Sequence, residues 1–189
     1  MRRTVAAAGS AVFLAVVPGV VAGVVPWWLT GWRAGTSAPL WSPVRTPGAA
    51  LAVAGGVVLV HAFLRFVVEG AGTPAPIAPT ERLVVGGLYR YVRNPMYLAV
   101  VAVIAGQALF LGRPVLIAYA AVVWATVATF VRAYEEPTLE DRFGAEYDAY
   151  RRAVPAWHPR CRPWSPPSPP DRGGESDRRA GRDLGGDPR

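Results

Sequence analysis

Five polar residues stand beside long apolar runs in a pattern that could carry chemistry. They are Arg93, Asn94 and Tyr97, and the adjacent carboxylates Glu135 and Glu136. Between the two groups the only charged residue is Arg113, in Gly112-Arg113-Pro114, until Arg132 is reached. Arg93 lies 19 residues before Gly112, and Glu135 lies 22 after Arg113. At 1.5 Å per residue these are roughly 28 and 33 Å of helix, so a tight helical hairpin returns both groups to one membrane face. A carboxylate pair opposite an Arg suits a zwitterionic or cationic small molecule. The same spacing also fits interfacial anchoring by Arg and Tyr beside a solvated Glu pair.

The elements that must position these groups are apolar helices. The chain has 189 residues, 52% apolar and only 17% charged. That is well below the roughly 25% charged of an average soluble domain. Val5–Leu29 carries no charge. It is too long for the core of a cleaved signal peptide and reads as a membrane anchor. Runs at 48–68, 95–111 and 114–134 follow. The spacing predicts an all-α fold: a polytopic bundle of about four transmembrane helices, then an amphipathic helix over 138–153. In that last helix Leu139, Phe143, Tyr147 and Tyr150 recur every three or four residues. In the second run His61, Arg65 and Glu69 share one face. They read either as a snorkelling Arg paired with Glu69 or as a polar stripe lining a cavity.

Residues 1–70 are read as two N-terminal transmembrane helices. Residues 71–163 hold a Pro-rich connector, the hairpin and the amphipathic helix, and 164–189 a disordered tail. The net charge is +7, and every basic residue is Arg. Ser165–Arg189 holds five Arg and five acids, so the excess lies among the apolar runs. Anionic membrane or phosphate is the partner this suggests, with no nucleic acid. Arg is denser before the first run, in the 69–94 connector and after Arg132 than near Arg33, Arg45 and Arg113. The positive-inside rule then places both termini and the connector in the cytoplasm, in a plasma or inner membrane. The lone Cys161 excludes an intrachain disulfide and a zinc site with two cysteines, and no metal is expected. His158 and Cys161 lack local catalytic partners and read as packing or incidental residues.

The literal residues go further. Leu83-Val84-Val85-Gly86-Gly87-Leu88-Tyr89-Arg90-Tyr91-Val92-Arg93-Asn94-Pro95-Met96-Tyr97 resembles the signature of the isoprenylcysteine carboxyl methyltransferase and phospholipid methyltransferase superfamily. Glu135-Glu136-Pro137-Thr138-Leu139, then Phe143-Gly144-x-Glu146-Tyr147-x-x-Tyr150 and Val154-Pro155, resemble its second motif. The resemblance spans about residues 79–160. Asn94 stands where the prenylcysteine enzymes carry His, so no general base can act from that position. Ala99 replaces a frequent Gly.

The resemblance implies an integral membrane methyltransferase that uses S-adenosylmethionine without a Rossmann fold. Its acceptor would be a lipophilic or lipid-like molecule, methylated at a carboxylate or amine. The implied cofactor pocket comprises Glu81, Arg82, Leu83 and Val84, then Tyr89, then Asn94, Pro95, Met96 and Tyr97, and Glu135. Arg93, Glu135 and Glu136 are the implied catalytic residues. Two other classes share part of the pattern: a membrane NADPH-dependent reductase of the steroid-reductase-like type, and a non-enzymatic membrane scaffold. The Glu pair followed by Phe-Gly-x-x-Tyr favours the methyltransferase.

Overall fold

The computed structural model describes residues 16–35, 42–70 and 83–165. Among them all regular structure is helical. Helix α1 is Val16–Thr30, with a π-helical turn at Val20–Val24. Helix α2 is Ser42–Gly70, and a 3₁₀ turn covers Gly87–Arg90. Helices α3, Pro95–Leu111, and α4, Pro114–Phe130, form the hairpin. A π turn at Val131–Glu135 carries α4 into α5, Glu136–Phe143, and α6 is Ala145–Ala153.

Two helices are long and apolar enough to cross a membrane, Pro43–Arg65 and Pro114–Phe143; Val16–Thr30 and Pro95–Leu111 are shorter apolar helices. Only 22% and 17% of the two long apolar windows are buried within the chain. A core helix of a soluble protein would be mostly covered, so these surfaces suit lipid. Of the four expected spans, two are helices long enough to cross among the described residues, and the other two fall short of that length. Residues 5–15 of the first run lie outside the described residues.

Helices α2 and α3 pack closest. A Cβ at Gly106 would lie within 3 Å of Gly48 and Ala52 backbone atoms, so only glycine allows this crossing. The core under α3 and α4 joins Val100, Ile104 and Ala108 to Leu116 and Ala120. The end of the bundle at the hairpin is closed by polar bonds. Gly35 N donates to Leu111 O at 2.7 Å, Arg113 Nε to Arg33 O at 3.0 Å, and Arg45 Nε to Phe110 O at 3.3 Å.

The π turn of α1 leaves carbonyls without their usual helical donors. Gln107 Nε2 donates to Ala22 O at 2.6 Å, and the Tyr119 hydroxyl donates to Val21 O at 2.9 Å. Two polar side chains from the hairpin thereby fix α1 in an apolar setting where such bonds lack competition from water.

The amphipathic segment differs from the single helix expected over 138–153. It breaks at Gly144, whose φ of 50° and ψ of −123° an L side chain resists. Its apolar residues also turn inward. Tyr147, Tyr150 and Val154 are buried with Leu83, Val85, Leu139 and Phe143. The connector, not the membrane surface, covers this face. Trp164, placed at the start of the expected tail, packs its ring 5.3 Å from that of Tyr150. Residues 166–189 lie outside the described residues.

Candidate active site

The site is built from three pieces of chain. The first is 89–97, leading from the 3₁₀ turn into α3. Pro95 opens α3, where its missing N–H costs nothing. The second is the π turn and the first turn of α5. The third is α6 with the strap that follows it, 154–165.

The strap fixes the first piece by its backbone. Arg93 N donates to Pro155 O at 2.9 Å, Arg160 N to Tyr91 O at 3.0 Å, and Trp164 N to Arg90 O at 3.0 Å. Asn94 Nδ2 donates to Ala156 O at 3.2 Å. The buried Tyr150 hydroxyl donates to Tyr89 O at 2.6 Å. Burial pushes the Tyr150 phenol above its ordinary pKa, so it remains a neutral donor. Burial raises Tyr147 as well, opposed by the nearby Arg93 charge.

Within this frame the two carboxylates part company. Tyr97 donates to Glu135 Oε2 at 3.1 Å. Arg93 Nη1 reaches Glu136 Oε1 at 2.8 Å and the Tyr147 hydroxyl oxygen at 2.9 Å. The Arg93 and Glu136 side chains are only 13% and 19% exposed, so removing either partner would leave the other charge largely shielded from water and uncompensated. Arg93 Nε is buried and has no hydrogen-bond partner. Such a donor is an energetic liability that a bound anion would remove.

Two cavities meet here. The larger, about 420 Å³, runs between α1, α3 and α4 along Val17, Val21, Val100, Val123 and Val127. That volume is in the ordinary range for a small-molecule site. Its polar end holds Tyr89, Arg93, Asn94, Tyr97 and Glu135, with Pro95 and Met96 between them. The smaller, about 90 Å³, is lined by Leu83, Val84, Tyr147 and Glu136. Tyr89, Arg93, Asn94 and Glu135 line both. Glu136 does not line the larger cavity; it is turned to Arg93. Glu81 and Arg82 lie outside the described residues.

A family model for phospholipid methyltransferases matches residues 44–146, more than half of the chain. The chain belongs to the phospholipid methyltransferase family. It is thereby a member of the isoprenylcysteine and phospholipid methyltransferase superfamily, as its two motifs suggested. Neither a curated protein nor a solved structure matched the chain. The matched stretch runs from α2 into the start of α6; it includes the first motif and the second as far as Glu146. It leaves out α1, which walls the larger cavity, and the strap that holds 90–94.

The roles of several contributors to this candidate site are not legible in the sequence. Tyr147 and Tyr150, which stand in the second motif and on the expected apolar face, use their hydroxyls to hold Arg93 and the Tyr89 backbone. Gln107 and Tyr119, isolated polar groups in apolar runs, were the available signal for the α1 contact. Of the His61, Arg65 and Glu69 stripe, His61 is exposed and the Arg65 side chain lies against Gly87. The Glu69 side chain lies outside the described residues. Among the described residues no cluster of three or more His, Cys, Asp or Glu could hold a metal ion.

Proposed function

We propose that the chain is an integral membrane methyltransferase that uses S-adenosylmethionine. Its acceptor is a lipid or prenyl-like molecule, methylated at a carboxylate or an amine. The observation that carries this reading is the junction of the two cavities at Tyr89, Arg93, Asn94 and Glu135. One cavity is apolar and runs along helices that suit lipid. The other opens among the connector and α6. At about 90 Å³ the second cavity admits only one end of a molecule the size of S-adenosylmethionine, so donor and acceptor would share the polar end of the larger cavity at these four residues.

The residues present fit the cofactor. The orphaned Arg93 Nε suits its carboxylate. Glu135 suits its ammonium or ribose hydroxyls, with Oε2 already steadied by Tyr97. When bound, S-adenosylmethionine supplies a methyl group already activated by its sulfonium. The protein's own work is to position and to exclude water. Tyr89 at the junction and Tyr97 beside it bring aromatic rings to the polar end of the larger cavity, where a cation is favoured. Leu59, Val100 and Val127 keep the acceptor's path apolar. A carboxylate acceptor needs no base. An amine acceptor must shed a proton, and the Glu135 carboxylate is the group at the junction able to take it. Glu136 acts through Arg93 as a positioning residue.

The bundle is read as four membrane-crossing helices with both termini and the site in the cytoplasm. The family match gives no support to the reductase or scaffold readings. Equilibrium binding of S-adenosylmethionine and of NADPH to detergent-purified protein tests the proposal. Retention of the first and not the second is expected; the reverse overturns it.

A further inference from the structure

A third concavity, about 700 Å³, opens on a different face of α4 from the apolar cavity. Its inner end is made by Trp124 and Ala128 on α4 and by Trp157 of the strap. The Trp124 and Trp157 rings meet edge to face, 6.2 Å between centroids. The pair gives that end of the groove a large apolar aromatic wall. Its outer end is charged: Arg132 on the π turn, Glu136 and Glu140 on α5, and Arg151 on α6. Trp124 and Arg132 are eight residues apart, roughly 12 Å along a helix. The groove thus grades from apolar to charged in the direction a phospholipid does, from its upper chains to its phosphate.

The charges in the groove are not balanced. Glu136 is taken by Arg93 at 2.8 Å and Glu140 by Arg151 at 3.1 Å. Among the described residues Arg132 has no carboxylate partner. One guanidinium therefore remains over, at the end of an apolar helix, beside a tryptophan pair. A phosphodiester complements it with a paired charge-assisted bond. A zwitterionic headgroup would also bring an ammonium, and both carboxylates here are already engaged.

We propose that this groove is a docking site for an anionic membrane phospholipid, with its phosphate on Arg132 and its glycerol and upper chains against Trp124 and Trp157. The site is separate from the acceptor cavity, with which it shares only Arg93. It does not depend on the donor or acceptor assigned above.

Native mass spectrometry of the full chain in a non-ionic detergent tests it. The probes are dihexanoyl phosphatidylglycerol, dihexanoyl phosphatidylcholine and inorganic phosphate. Wild type should retain the phosphatidylglycerol in preference to the other two. Arg132→Gln should weaken that retention by about tenfold or more, the scale of one charge-assisted bond. Trp124→Ala should weaken it too while leaving inorganic phosphate unchanged. Arg142→Gln is the control, because Arg142 stacks on Phe143 and lies outside the groove. Equal retention of the two lipids by wild type, or undiminished phosphatidylglycerol on Arg132→Gln, overturns the site. Inorganic phosphate held as tightly as the lipid overturns its assignment to a membrane phospholipid. Binding of S-adenosylmethionine, measured on the same samples, reports separately on the catalytic reading.

Discussion

The Tyr97 hydroxyl donates to Glu135 Oε2 across 3.1 Å, joining the first turn of α3 to the π turn after α4. This bond couples the two sequence motifs at the mouth of the apolar cavity. Glu135→Gln keeps the volume and removes the charge. If Glu135 holds the cofactor's cationic or hydroxyl groups, roughly 1.5–3 kcal/mol is lost, or about tenfold to a hundredfold in affinity. Tyr97→Phe leaves a buried carboxylate oxygen without its donor and should cost about 1–3 kcal/mol, part of it in stability. Glu140→Gln, whose partner Arg151 is 43% exposed, should change little. Isothermal titration with S-adenosylmethionine distinguishes them. Equal affinity for wild type and Glu135→Gln, with helicity intact, removes Glu135 from the site.

Arg93 and Glu136 make a different prediction. Arg93→Ala strands Glu136 in a half-buried place and also removes the donor at the cavity junction. It should lower the apparent melting midpoint and abolish measurable cofactor binding. Glu136→Gln keeps an acceptor oxygen for Arg93. Its melting midpoint should fall less, and its affinity should stay within about threefold of wild type. Thermal melts by intrinsic fluorescence, paired with titration, check both. A loss in Glu136→Gln as deep as in Glu135→Gln would mean Glu136 touches the ligand.

The hairpin and its consequence were legible because they follow from counting. Arg93 and Glu135 are each about one membrane thickness from Gly112-Arg113, and a helix has one rise per residue. What counting missed was which carboxylate goes where. Glu135 and Glu136 look equivalent in sequence. The π turn, which has no compositional signature, presents one to Tyr97 and the other to Arg93. Periodicity marks Tyr147 and Tyr150 as part of an apolar face but cannot say what covers such a face. Here it is Leu83 and Val85 of the connector. The strap was hidden for a related reason. Its bonds to 90–93 run mostly between backbone groups, and the backbone is the same in every sequence.

Membrane topology is open to direct measurement. Arg33, Arg45 and Arg113 gather at the hairpin end, whereas Arg90, Arg93 and Arg151 gather at the site end. With Arg132, Arg142 and Arg152 also on the site's side, the positive-inside rule predicts a cytoplasmic site. Reporter fusions after Gly35 and after Arg113 should read as extracytoplasmic, and a fusion after Gly70 as cytoplasmic. A cytoplasmic signal at Arg113 inverts the hairpin and places the site on the opposite side.

The strap divides the C-terminal region into a part the site needs and a part it does not. Residues 155–164 accept or donate the backbone bonds at Arg90, Tyr91 and Arg93, and Ala156 O receives the Asn94 amide. Each such bond contributes about 0.5–1.5 kcal/mol net, and together they hold the segment that lines both cavities. A stop codon after Val154 should therefore destroy cofactor binding even if the bundle remains helical. A stop codon after Ser165 removes a stretch whose only large aliphatic residue is Leu184. It has little with which to offset about 1–2 kcal/mol of backbone ordering per residue. That shorter protein should bind S-adenosylmethionine as wild type does. Trp164→Ala, which loses the ring contact with Tyr150 but keeps the backbone bonds, should fall between the two. Titration of the three proteins, with helicity checked by circular dichroism, gives the order. A tenfold loss on ending the chain at Ser165 would show that residues beyond it contribute to the site.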